Sequence, residues 1–130
     1  MPRIKHIAIR TRDVEKTAAF YRDAFGLKEV GSGQNGIYLS DGYINLAILK
    51  FRRAIEGEPL KLGLDHLGFQ VDDVEASVNR IKDLGGKALT DRAPTTASDP
   101  SHPQSYYEVK CLGPDEQVID VSAAGWAGTD

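Results

Sequence analysis

The chain states one plan twice. Residues 4–15 (IKHIAIRTRDVE) and 64–75 (LDHLGFQVDDVE) match at a sixty-residue offset, with His6 falling on His66, Asp13 on Asp73, Val14 on Val74 and Glu15 on Glu75. Asp23 on Asp83 and Gly26 on Gly86 extend the match without a gap. Duplication restricts the fold more than any single motif would. Neither copy buries a sheet face alone, so the two must combine around a shared interior. If they do so with approximate twofold symmetry, their first strands come together and the repeated histidines face each other across a cleft.

Each copy opens with a period of two. Leu64, His66, Gly68 and Gln70 alternate with Asp65, Leu67, Phe69 and Val71, and Ile4, His6, Ala8 and Arg10 alternate with Ile7 and Ile9, which predicts a strand in each. Asp13 and Asp73 are N-cap carboxylates for the helices that follow. The first helix runs to about residue 25, with Val14, Thr17, Ala18, Tyr21 and Phe25 as its buried stripe, and Gly26 ends it. The second carries Val74, Val78 and Ile81 and stops at Gly85-Gly86. Strands are expected at 27–30, 37–39 and 43–49, with a turn cluster at 31–36 and a tight turn at 40–42, so the first copy reads βαβββ. Residues 51–63 lose periodicity and read as a linker. The second copy adds strands at 87–90, 106–112 and 117–122, the last two joined by 113–116. Between them, residues 91–104 hold three of the six prolines and no apolar period, which suggests a loop covering the cleft. One domain over 1–130 follows, with modules at about 4–50 and 64–122 and a tail at 123–130. In that tail Trp126 has little of its own module to pack on, so a neighbouring surface is expected to take it.

Composition removes several classes of function. A net charge of −3 and a pI near 5.6 speak against a nucleic-acid surface, and Lys50, Arg52 and Arg53 read as a solvated loop. No stretch is long and apolar enough to span a bilayer. A single cysteine, Cys111, excludes an internal disulfide, reads as a small core residue and fits a reducing, cytoplasmic compartment.

The chemistry gathers at the histidines. A small residue lies two places after each, Ala8 and Gly68, which leaves room between them. The fourth strands offer Asn45 and Asp120 inside apolar runs, and a carboxylate buried there needs a partner. His6, His66 and Asp120, with Asn45 as a weak fourth ligand or hydrogen bonder, form a donor set for a divalent metal with open positions. Iron, manganese, zinc, nickel and cobalt all remain open. Arg10 and Gln70 share the histidine faces and are candidates for substrate contact, although an arginine at a strand end is more often solvated. Tyr43 and Tyr107 are candidates for the cavity or its rim, and His102 is a loop residue with a lesser case as a lid acid or base. Glu108 and Lys110 alternate with Val109 and Cys111 and read as a solvated strand face. No general base is evident.

The duplication, the stretches HIAIRTRDVEKTAAFYRDAFGL and HLGFQVDDVEASVNRIKDLGG and the ending GPDEQVIDV resemble the vicinal oxygen chelate superfamily, the group of glyoxalase I, bleomycin-resistance proteins and extradiol dioxygenases. The resemblance covers about residues 4–122. It implies an α+β fold in which two tandem βαβββ modules form an eight-stranded, U-shaped mixed sheet, a half-open barrel around a central cleft. It also implies metal ligands from the first strand of each module and a Glu or Gln from the last. On that pattern His6, His66 and Asp120 are ligands and Asn45 takes the fourth place. Asp120 and Asn45 are each one carbon shorter than usual, about 1.5 Å less reach, so a three-ligand site stays open beside a four-ligand one. The activity implied is a metal-dependent lyase or isomerase of the glyoxalase or epimerase kind, acting on a small substrate bound through vicinal oxygens. An Fe(II) ring-cleaving dioxygenase and a non-enzymatic binding protein of the bleomycin-resistance type are the alternatives. The resemblance further implies a homodimer.

Overall fold

A computed structural model of the chain describes residues 1–51, 61–91 and 108–130. Most of the loop at 91–104, with His102, lies outside the described residues, as do Tyr107 and most of the linker. The elements follow the order β1 (Arg3–Thr11), α1 (Val14–Phe25), β2 (Lys28–Gly33), β3 (Gly36–Ser40), β4 (Asn45–Lys50), β5 (Gly63–Gln70), α2 (Val74–Asp83), β6 (Lys87–Asp91), β7 (Glu108–Leu112) and β8 (Val118–Ser122). Asp13 and Asp73 cap the two helices as expected, accepting from the Lys16 and Ala76 amides at 3.0 Å. The turn cluster at 31–36 is narrower than expected: β2 runs on to Gly33 and β3 begins at Gly36.

All eight strands join one open sheet in the order β2-β3-β4-β1-β5-β8-β7-β6. Exchanging the two halves leaves that order unchanged. At its centre β1 runs antiparallel to β5, while β4 and β8 lie parallel to β1 and β5 on their outer sides. Ile7 pairs with Leu67, its own counterpart, so the approximate twofold passes through that pair. The α+β architecture with two tandem βαβββ units is the one the sequence implies.

Apolar alternation divides the sheet into two faces. Ala18 of α1 packs with Ile37, Leu39 and Ile48, and Val74 and Val78 of α2 pack with Val109, Cys111 and Val121. The opposite, helix-free face carries the polar residues. Ala8, Tyr38, Ala47 and Leu49 form a smaller apolar cluster there, in the first half. Two expectations fail. Phe25, assigned to the buried stripe of α1, is 69 % exposed: it is the last residue of the helix, and its ring lies beside that of Tyr21, outside the cluster that Ala18 and Tyr21 join. Glu108, assigned to a solvated face, is 3 % exposed, and Lys110 beside it is held by Asp120, because that face of β7 turns into the cleft.

Two irregularities break the central ladder. One bulge inserts Lys5 into β1 between the Ile4–Phe69 and His6–Gly68 pairs. The other inserts Asp65 into β5 between Ala8–His66 and Ile9–Leu64. They are counterparts, each one residue before its histidine. A bulge re-aims the side chains around it, and both Lys5 and Asp65 reach groups on the helix-free face.

After β8 the tail turns back over the first half. Trp126 is 2 % exposed within its own chain, so the neighbouring surface expected for it is its own cleft. Its indole stacks on the His6 ring, centroids 4.9 Å apart and planes 6° from parallel. Asn45 Nδ2 donates to the Ala127 carbonyl at 3.0 Å, Ser40 Oγ to that of Gly128 at 2.8 Å, and Lys5 Nζ pairs with Asp130 at 2.7 Å. Gly68 is small for this reason: a methyl there would lie 2.6 Å from His6 Cβ and 2.7 Å from Trp126 Cζ2.

Candidate metal centre

Where β1, β5 and β8 meet, His6, His66 and Asp120 project from the helix-free face with ligand atoms all within 4.8 Å of one another. His6 Nε2 lies 3.2 Å from His66 Nε2, which lies 3.1 Å from Asp120 Oδ2. These three are the residues that the duplication and the buried-strand setting of Asp120 single out.

The surrounding hydrogen bonds fix which nitrogen points inward. Asn45 spends its amide on Ala127, so its Oδ1, 2.8 Å from His6 Nδ1, accepts from a protonated Nδ1. Asp65 Oδ2, 2.7 Å from His66 Nδ1, accepts in the same way. With both Nδ1 atoms donating outward, both Nε2 lone pairs point at the same space as the Asp120 oxygen. Such a set is stable only around something positive. A proton on His66 Nε2 serves: burial opposes charge on that ring, but hydrogen bonds to Asp120 and Asp65 outweigh it and raise the pKa above 6.5. Burial likewise works against an ionised Asp120, yet the His66 hydrogen bond and the charges of His66 and Lys110 hold its carboxyl well below the usual range. The hydrogen bond to His66, opposed by burial and aided by Arg10, takes Asp65 down to about 2. A divalent ion would satisfy the same three donors, and the two separations near 3 Å, from His66 to His6 and to Asp120, suit neighbouring ligands on an ion bound at about 2.1 Å. Outer acceptors on both imidazole Nδ1 atoms are the usual companions of metal-binding histidines. The donor set fits a metal.

The register redefines Asn45. The sequence reading treats it as the counterpart of Asp120, but Asp120 pairs with Gly68, and the equivalent pairing in the first half is Ala8 with Ala47. Asn45 pairs with His6 itself and so reaches its Nδ1 side; of the two roles open to it, hydrogen bonder is the one seen. Arg10 grips Asp65 at 3.4 Å and donates to the Lys50 carbonyl at 3.0 Å, behind His66. Gln70 Nε2 lies 3.4 Å from the Ala123 carbonyl, at the start of the tail. Tyr43 is 65 % exposed in the turn before β4. Sequence reasoning missed three participants. Asp65 and Lys5 come into play through bulges, and Lys110, whose ammonium lies 2.5 Å from Asp120 Oδ1, through the inward face of β7.

Comparison with known proteins agrees with this layout. Residues 3–101 match the Glyoxalase/Bleomycin resistance protein/Dioxygenase superfamily. The chain belongs to that superfamily. A relative from Bacillus subtilis (strain 168), described as uncharacterized protein YwbC, is 25 % identical over 129 residues, 91 % of this chain and 94 % of that one. Among solved superfamily folds, a single-substitution variant of Streptomyces coelicolor methylmalonyl-CoA epimerase in complex with 2-nitronate-propionyl-CoA superposes with a TM-score of 0.67 at 23 % identity, over 92 % of this chain and 95 % of that one. The 2,3-dioxygenase LapB from Pseudomonas sp. KL28 gives 0.67 at 21 % identity, over 98 % of this chain but 42 % of its own. These likenesses carry the fold.

Proposed function

We propose that the protein is a metal-dependent superfamily enzyme of the lyase or isomerase type, with His6, His66 and Asp120 holding a divalent ion and Asn45 outside the ligand set. The observation that carries this is the convergence of three donor atoms whose histidines are both oriented from behind by Asn45 and Asp65. A divalent ion bound there would supply Lewis-acid polarisation of two neighbouring substrate oxygens, which acidifies the C–H beside them. Lys110, in contact with Asp120, presents an ammonium to a substrate oxygen that gains negative charge. Among the described residues only Glu108 and Asp120 are buried carboxylates, and Glu108 lies on the same face of β7 as Lys110, two positions away. Glu108 is the residue we assign to move the proton. The epimerase neighbour, whose complex holds a CoA ester, supports proton transfer as the reaction class.

One observation favours a second reading. With Asn45 turned to His6, two imidazoles and one carboxylate remain, the donor set of non-haem Fe(II) oxygenases. Ring cleavage by O₂ would then replace proton transfer. Elemental analysis of the purified protein, with reconstitution by single metals, tests both. Solvent-deuterium exchange into α-oxygenated thioesters and hemithioacetals should appear under the first reading, and oxygen uptake with catechols under the second. A protein that retains no stoichiometric divalent ion under any condition would leave only the binding-protein alternative. A cytoplasmic location stays part of the proposal; among the described residues no helix is long and apolar enough to cross a membrane.

A further inference from the structure

The tail does more than end the chain. Glycine stands one residue before Trp126 and two after it, and both adopt positive φ, 81° at Gly125 and 79° at Gly128. Those conformations are open to glycine at little cost, and they let the backbone turn in and out again so that one large side chain drops onto the sheet. The ties begin in the second half and cross the first: Gln70 of β5 at the entry, then Asn45, Ser40 and Lys5. A frayed terminus has no such anchoring. The segment is a strap, and it lies on the helix-free face where a ligand of His6 would otherwise extend over β1, β4 and β3. On the other side of the centre, Lys110 keeps a quarter of its side chain exposed beside Asp120.

We infer that the strap is the specificity wall of the site: Trp126 fills the first half of the cleft, positions the His6 ring, and confines the ligand to a compact two-oxygen anion approached from the Lys110 side. This rests on the metal reading above. It assigns Trp126 as a positioning residue, acting through His6, and makes the size of the ligand a property of the tail.

Trp126 is the only tryptophan in the chain, so its emission reports the strap directly. The test uses Co²⁺ with two hydroxamates that share a chelating head, acetohydroxamate and 2-naphthohydroxamate. Cobalt uptake, followed by visible absorption, should quench Trp126. Wild-type cobalt protein should bind the small hydroxamate about tenfold or more tighter than the large one, as a closed apolar wall demands. Trp126→Ala should bring the two affinities together and shift the cobalt spectrum as His6 loses its stacking partner. Lys5→Gln, which releases Asp130 and loosens the strap without truncating Trp126, should narrow the ratio in the same direction and stands in if the alanine variant folds poorly. Cobalt uptake with both hydroxamates bound equally by the wild type overturns the strap proposal and leaves the metal reading intact. Failure of the wild type to take up cobalt overturns both.

Discussion

His66 is addressed at both ring nitrogens, Nδ1 by Asp65 and Nε2 by Asp120 and His6. Asp65→Asn keeps an acceptor near Nδ1 but removes its charge, and metal affinity measured by calorimetry should fall about 10- to 100-fold. His66→Ala should abolish stoichiometric metal while circular dichroism stays native; a His6/His66 double alanine variant with full metal content would refute the assignment. Protons compete for the same atoms. Because the folded pKa of His66 lies above 6.5, a metal must displace its proton, so apparent affinity in a chelator-competition titration should drop as the pH is lowered through that raised value. In the metal-free protein, the stabilisation from protonated His66 is fully present below 6.5 and is lost as the pH rises through the folded pKa. Asp65 contributes in the opposite sense: its share is present above 3.8 and is lost as the pH falls toward about 2. The thermal midpoint of chelated protein should therefore decline at both ends of the pH range.

At the level of elements, β5 packs tightly against both His6 and the tail. Gly68→Ala places a methyl against His6 Cβ and Trp126, which should cost about 1–3 kcal/mol by overpacking and weaken metal binding as well. An unchanged denaturation midpoint would show that the strap yields there. The helices, the succession of strands along the chain and the pairing of the two first strands were legible in the sequence, because the sixty-residue repeat and the capping aspartates report on local geometry. The bulges were not. A bulge adds one residue without altering the polar–apolar string over its neighbours, so neither Asp65 nor Lys5 announced where it would reach. Register was equally hidden, and with it the distinction between Asn45 and Ala47 as the counterpart of Asp120. Glu108 and Lys110 show a third limit. A polar strand face has the same period whether water or a cleft lies beyond it.

For the whole molecule, the burial of Trp126 removes one argument for a dimer and leaves another. The sheet ends at β2 and β6, and strand edges are commonly covered by a partner. Sedimentation should give twice the chain mass; a species near 14.2 kDa at micromolar concentration would refute the dimer. The approximate twofold through Ile7 and Leu67 has one more consequence. His6 belongs to the first copy and His66 and Asp120 to the second, so an ion held by all three is a rivet across the seam. Excess cobalt or nickel should then raise the thermal midpoint, and should keep residues 1–51 and 61–130 together when they are supplied as two polypeptides. A half-length chain meeting its twin would have owned that rivet before it owned a linker, and in the fused chain the first copy carries Ala47 where the second has Asp120, while the second copy's tail lies over the place left empty.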